Sequence, residues 1–249
     1  MSGLVLALNL RMRYVDSDGL PIPGAGYIGL LNPVTFQIEN PEPNRQQRIS
    51  KRRDDYGTAL DEIVTPQPPT IAISTDETGD AEVLAWALSG QASNYVQASA
   101  TVSEEEIAVV KGEWYRLPHR AVSDVVVEPA GAGAEYEENV DYFVDYRSGL
   151  IRPTPGGAIA SGPVRVSYAA AALTGKRIGS GTRPTISVRI EGDGINKATG
   201  KPVDVLVRRA NLSASGALDL VGDDFLVTEL SGTPLKVGSF DPIEVTMLD

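Results

Sequence analysis

Between residues 184 and 222 the chain repeats apolar side chains at every second position, which commits it to a long hairpin. Ile186, Val188 and Ile190 alternate with Thr185, Ser187, Arg189 and Glu191, the period of a β-strand with one buried face. Gly192, Asp193, Gly194 and Gly200 bracket a stretch that tolerates positive φ, so a loop is expected there. Val203, Val205 and Val207 then share one face of a second strand. After Arg208 and Arg209 the apolar residues change phase to Ala210 and Leu212, which predicts a β-bulge. Residues 213–216 read as a turn, and Leu218, Asp219 and Leu220 as the start of a third strand. One face of this hairpin belongs to a core. The other carries Thr185, Ser187, Arg189, Asp204 and Arg208.

The rest of the chain is read in the same terms. Leu4, Leu6, Leu8 and Leu10 alternate, and Asp16-Ser17-Asp18-Gly19 makes a tight turn. Strands are expected at 27–31, 35–39, 70–75, 95–102, 105–110 and 225–230, with another around Ile243, Val245 and Met247. One helix of about 12 residues is expected after Thr78 or Asp80, which can cap it, with Gly90 beyond its end. Its stripe is Ala81, Leu84, Ala85 and Leu88, with Val83 and Trp86 alongside. The protein is therefore expected to be mainly β.

Two segments stand apart. Residues 42–55 are polar and hold the chain's only basic concentration: Arg45, Arg48, Lys51, Arg52 and Arg53. A long loop of this kind is either a solvated, mobile loop or a docking arm whose cations meet acidic patches on another copy of the same protein. From Lys111 to Ala172, short strands at 125–128, 142–146 and 164–168 are spaced by turns rich in Gly, Pro and Ala. That texture predicts a small Ig-like β-sandwich module at 109–172, inserted into a discontinuous domain made of 1–108 and 173–249.

Function classes fall away one by one. With no cysteine among 249 residues, there are no disulfides, thiolate zinc sites or cysteine nucleophiles. The net charge of -11 leaves no basic surplus for gripping nucleic acid through its phosphates. No basic residue precedes the apolar stretch at 4–10, while Arg11 and Arg13 follow it, the reverse of a secretory signal. No apolar run approaches the ~18 residues of a membrane-spanning helix, so no membrane is expected.

The sole histidine, His119, lies between Pro118 and Arg120 with no G-x-S-x-G elbow anywhere. Gly194 to Lys201 misses the phosphate-loop spacing, and Pro202 stands where a Ser or Thr should hold magnesium. Asp16 and Asp18 start a calcium-loop pattern whose closing Glu is absent. Asp219, Asp223 and Asp224 cluster around Gly222 and offer carboxylates for sugar chemistry. The aromatic platforms such a site needs are thin, with two Trp and four Phe. No catalytic, cofactor-binding or metal-ligating set is expected, so the reading is not an enzyme. The competing class is a carbohydrate-binding or sugar-cleaving β protein of a virion or cell surface.

The order of parts resembles the tail tube (major tail) proteins of long-tailed, siphophage-type bacteriophages. In the N-terminal half the resemblance lies in Tyr27-Ile28-Gly29, the strand at 35–39 and the charged loop. It continues through Pro69-Thr70-Ile71-Ala72-Ile73-Ser74-Thr75-Asp76-Glu77 into the helix. Further on it is carried by Gly200-Lys201-Pro202-Val203 up to Asn211, residues 216–225, and Glu229-Leu230-Ser231-Gly232. Asp141-Tyr142-Phe143-Val144-Asp145-Tyr146-Arg147-Ser148-Gly149 and Val164 to Tyr168 are similar to a β module common in phage virion proteins.

The resemblance implies a β-sandwich or half-barrel with one flanking α-helix. Copies would self-assemble edge to edge into a hexamer, and rings would stack into a viral tail tube. Phage DNA would pass through without specific binding during ejection. Arg45, Arg48, Lys51, Arg52 and Arg53 would then contact the next ring or subunit, and Arg189, Asp204, Arg208 and Asp219 would face the channel or a neighbour. An acidic channel wall would repel DNA phosphates over about 10 Å. Partners implied are further copies of the chain, a tape measure protein, a tail terminator and baseplate or tail-tip proteins. Assembly would occur in the host bacterial cytoplasm.

Overall fold

The computed structural model describes residues 4–131 and 133–248. In chain order its strands are β1 (Leu6–Tyr14), β2 (Ile28–Leu31), β3 (Pro33–Glu39), β4 (Asn44–Ile49), β5 (Ala59–Thr65) and β6 (Thr70–Thr75), followed by α1 (Ala81–Ala87). Next come β7 (Gln91–Gln97), β8 (Ala100–Val109), β9 (Tyr115–Arg116), β10 (Val122–Pro129), β11 (Tyr142–Asp145), β12 (Leu150–Pro153), β13 (Gly162–Ala170) and β14 (Leu173–Gly179). Four more follow: β15 (Ile186–Asn196), β16 (Pro202–Ala214), β17 (Thr228–Pro234) and β18 (Ile243–Met247). The protein is mainly β, built of antiparallel sheets with a single helix among the described residues.

The chain forms two compact units: residues up to Ala92 together with those from Ile178, and Ser93–Arg177. In the first, the sheet order is β2-β1-β15-β16-β17-β6-β3, with β18 also beside β16. Asn32 alone separates β2, at one end of that order, from β3 at the other. The sheet therefore bends round on itself and encloses a core. Leu10 and Met12 of β1, Ile186, Val188 and Ile190 of β15, and Val207, Ala210 and Leu212 of β16 supply one wall. Ile71, Ile73 and Leu230 supply the opposite wall, and Val83 and Trp86 of α1 fill in between. Full burial of each Val, Leu, Ile or Met side chain among them contributes roughly 1.5–3 kcal/mol.

The bulge lies where the change of apolar phase puts it. Val188 faces Ala210 and Ile190 faces Val207, so two residues of β16, Arg208 and Arg209, oppose the single Arg189. At the same place β16 changes its outer partner. Val203 to Val207 pair with β18, and Ala210 to Ala214 pair with β17.

Several elements differ from the sequence expectation, each for a local reason. Gly192 and Gly194 lie inside β15, not in a loop. A Cβ on Gly194 would sit 2.1 Å from the Ala7 carbonyl oxygen, so glycine is there for close approach of β1. The turn comes later, and Gly200 (φ 72°) takes the left-handed position. Residues 215–227 form no strand, because β17 starts only at Thr228 and takes the edge of β16 beyond the bulge.

The polar segment expected as a loop at 42–55 is instead the first half of a hairpin, β4 with β5. α1 is seven residues long, shorter than expected. The Asp80 carboxylate caps it by accepting from the Glu82 amide at 2.7 Å, and Ser89, at φ 49°, ends it.

The second unit holds two three-stranded sheets, β10-β13-β8 and β11-β12-β9. Leu117, Val127, Ile151, Ile159, Val166 and Tyr168 are among its buried residues. The sequence expectation begins this module at residue 109, whereas the unit begins at Ser93. The reason is β8, which pairs with β13 along most of its length. The break expected between strands at 95–102 and 105–110 is an irregularity within β8, with Glu104 at φ 51°.

Candidate assembly surfaces

The β4–β5 hairpin is an arm. Every residue of both strands is exposed, including the apolar Ile49, Leu60, Ile63 and Val64. Its registry sets Arg45 opposite Val64 and Gln47 opposite Glu62. Arg45 Nη1 lies 3.0 Å from Glu62 Oε1, and this contact with the Arg45 side chain holds the Glu62 carboxyl below its ordinary range.

The tip is built around Ser50, buried in an otherwise exposed segment. Its hydroxyl donates to Asp55 Oδ1 at 2.7 Å and accepts from the Arg52 amide at 3.2 Å. Asp55 is thereby turned inward, and Lys51, Arg52 and Arg53 are left exposed. Sequence reasoning finds these cations and misses the strands, since Asn44-Arg45-Gln46-Gln47-Arg48-Ile49 has no apolar alternation.

A second surface is the outward face of β1, β15, β16 and β18. Leu10, Met12, Val188, Ile190, Val205 and Val207 point inward, so their neighbours point out. The structure brings Arg189, Asp204 and Arg208 onto this one face. Arg189 Nε lies 2.6 Å from Glu191 Oε1. Arg208 Nη2 lies 2.7 Å from Glu244 Oε2, and its guanidinium stacks 4.1 Å from the Phe240 ring centroid.

Asp193 and Asp204 face each other across the strands, a like-charge pair that costs stability unless compensated. Compensation comes from Asn9 and Arg11, whose side chains hydrogen-bond Asp193 and hold its carboxyl below the usual range. Across these four strands the charged residues are five guanidiniums (Arg11, Arg13, Arg189, Arg208, Arg209) and four carboxylates (Glu191, Asp193, Asp204, Glu244). The face is charge-balanced. The acidity of the chain is not located on this face.

The third surface went unread in the sequence. Between β1 and β3 an open slot of about 540 Å³ is lined by Leu6, Leu8, Phe36, Ile38, Val205 and Val245, with Asn32 and Lys197 as polar members of its lining. It lies where β2 has left β1 after Leu10 and where β18 takes over from β17 beside β16. The only sequence signal is an apolar stretch in β1 longer than the part that packs in the core.

Asp219 is separate from the hairpin face. It lies in the irregular segment 215–227 together with Asp223, Asp224, Leu220, Val221 and Phe225. Val221 is 88% exposed and Phe225 89%. The Asp219 carboxylate accepts only from the Val221 amide, at 3.3 Å, among the described residues.

His119 has a structural place in the second unit. Its Nδ1 lies 3.0 Å from the Tyr168 hydroxyl. That hydroxyl also donates to Glu105 at 3.3 Å. Asp16 spends its carboxylate on the amides of Asp18 and Leu20 in the turn. Among the described residues no cluster of three or more His, Asp or Glu side chains is arranged to hold a metal ion. No helix there is long and apolar enough to cross a membrane.

Fold and surfaces together define a mainly β protein of two units with a protruding basic hairpin. The chain belongs to the family described as Protein of unknown function UCP028589, whose model matches residues 57–239. No curated protein matches it.

Proposed function

We propose that the chain is a structural protein that assembles with copies of itself, as the tail tube subunit of a long-tailed bacteriophage. The observation that carries this is the arm. A two-stranded hairpin is marginal alone in water, and this one displays Ile49, Leu60, Ile63 and Val64 to solvent with no core of its own. A partner surface gives those side chains somewhere to go. The slot beside β1 and β3 supports the same reading, since β1 before Leu10 has no partner on its β2 side, an open edge that a neighbouring copy can cover.

In this reading rings of six copies stack into a tube in the virion, built in the host cytoplasm, and the role is mechanical, not catalytic. The charge-balanced face of β1, β15 and β16 lines the passage. Its guanidiniums are largely held by carboxylates of the same face, so few are free to release counterions from DNA. DNA slides past without specific binding. A tape measure protein fills the tube before DNA does, and terminator and tail-tip proteins close its ends.

The test is negative-stain microscopy of the concentrated pure chain. Hollow tubes or closed rings are expected, and a variant lacking residues 46–52 should stay folded without forming them. A chain that remains monomeric at every concentration, or arm-deleted tubes of normal length, would sink the proposal.

A further inference from the structure

We infer that the receptor for the arm is the segment around Leu220, Val221 and Phe225 on a second copy of this chain. This rests on the self-assembly reading above and adds to it the identity of the contact. The tip of the arm is the one place where the chain concentrates positive charge. Lys51 and Arg52 make no ion pair among the described residues. Arg53 pairs only with its neighbour Asp54, and both are almost fully exposed, where such a pair contributes little. Asp54 and Asp55 offset part of this charge, and Asp55 is turned inward onto Ser50. The tip is also ordered by its own hydrogen bonds, with Ser50 donating its amide to Thr58 and receiving that of Gly57. Its cations are thus presented on a formed surface, at a lower ordering cost on docking.

The opposite surface has the complementary composition. Leu220, Val221 and Phe225 are the large apolar side chains of residues 215–227 that stand strongly exposed, whereas Leu218, Leu226 and Val227 are partly buried. Asp219, Asp223 and Asp224 rim them, and no cation occurs in the segment. An apolar centre with a charged rim is the anatomy of a protein interface, and an apolar patch left in water calls for a cover.

The arm brings both parts of the match, Ile49 and Tyr56 for the apolar centre and Lys51, Arg52 and Arg53 for the acidic rim. No hydrogen bond or ion pair among the described residues joins arm and segment within one copy. The same pairing repeated from copy to copy is heterologous, so it propagates instead of stopping at a dimer.

The test reverses the charges on each side in the full-length chain. One variant carries Lys51→Glu, Arg52→Glu and Arg53→Glu; the other carries Asp219→Lys, Asp223→Lys and Asp224→Lys. All six positions are exposed, and circular dichroism and thermal melting verify that both variants fold. Self-association is read by sedimentation velocity at low and high salt.

Each variant alone should associate at least about tenfold more weakly than the parent, since like charges now meet across the contact. Mixing the two should restore association to within about threefold of the parent, because each reversed tip then meets a reversed rim. The restored contact should weaken as salt rises. If the segment variant associates like the parent while the arm variant does not, or if mixing restores nothing, this receptor is wrong and self-assembly still stands. If the parent chain itself never associates, both fall.

Discussion

The Ser93 hydroxyl donates to the Arg177 carbonyl oxygen at 3.2 Å. These two residues are the first and last of the second unit, so the chain leaves the first unit and returns to it at adjacent points. Replacing residues 93–177 by a short Gly/Ser linker should therefore leave the first unit folded, with a cooperative melt by circular dichroism. Loss of the cooperative transition would show that the first unit cannot close without the second.

Gly194 is sterically fixed by β1. In Gly194→Ala the new methyl would have to displace the Ala7 carbonyl, and overpacking of this kind costs about 1–3 kcal/mol. Gly175→Ala, whose Cβ meets nothing within 4 Å, should stay within about 0.5 kcal/mol of the parent. Urea unfolding of the pair checks the contrast.

Capping of α1 depends on one side chain. Asp80→Ala removes the acceptor for the Glu82 amide and should lower stability by about 1 kcal/mol. Asp80→Asn, which keeps an acceptor, should recover most of that in the same unfolding assay.

Six of the nine tyrosines (Tyr14, Tyr27, Tyr115, Tyr142, Tyr146 and Tyr168) should titrate above the ordinary phenol range, and two of them furthest above it. The hydrogen bond to Glu138 pushes the Tyr146 phenol up to about 12. Burial, then the nearby Glu105 charge, pushes Tyr168 up to about 12. Unfolded phenols ionise near 10, so both folded groups hold their protons longer. The stability they contribute is complete below pH 10 and is lost as pH rises from 10 through 12. Alkaline titration followed by phenolate absorbance should show a late component, and Tyr168→Phe should remove part of it. A single uniform transition near 10 in the folded protein would contradict this.

How much of this was legible in the sequence depended on whether the cause was local. Val188, Ile190, Val205 and Val207 declare their buried face by alternation alone, and the slip to Ala210 and Leu212 announces the bulge. Gly192 and Gly194 misled because glycine signals a turn when read locally, while the reason for it is a strand nearly the whole chain away. The cations of the arm are visible by composition, but its strands are not, because polar residues on a two-sided exposed hairpin have no periodicity to show. The slot beside β1 and β3 is set by where β2 departs from β1 and β18 replaces β17 beside β16, a property of pairing that no single stretch encodes.

The pairing of β1 with β15 also sets an order in time. Leu6 lies beside Asn196 and Tyr14 beside Val188, so β1 leaves the ribosome long before the strand that pairs with it. The pairings of β8, β10 and β13 all fall between residues 100 and 170, and they can form while β1 is still without its partner. Contacts so far apart in sequence make for slow closure. Through that interval Leu6, Leu8, Leu10 and Met12 have no strand at 186–196 to cover them. The waiting strand is then the vulnerable part of the nascent chain, and conditions that slow synthesis of its second half should promote aggregation through that strand.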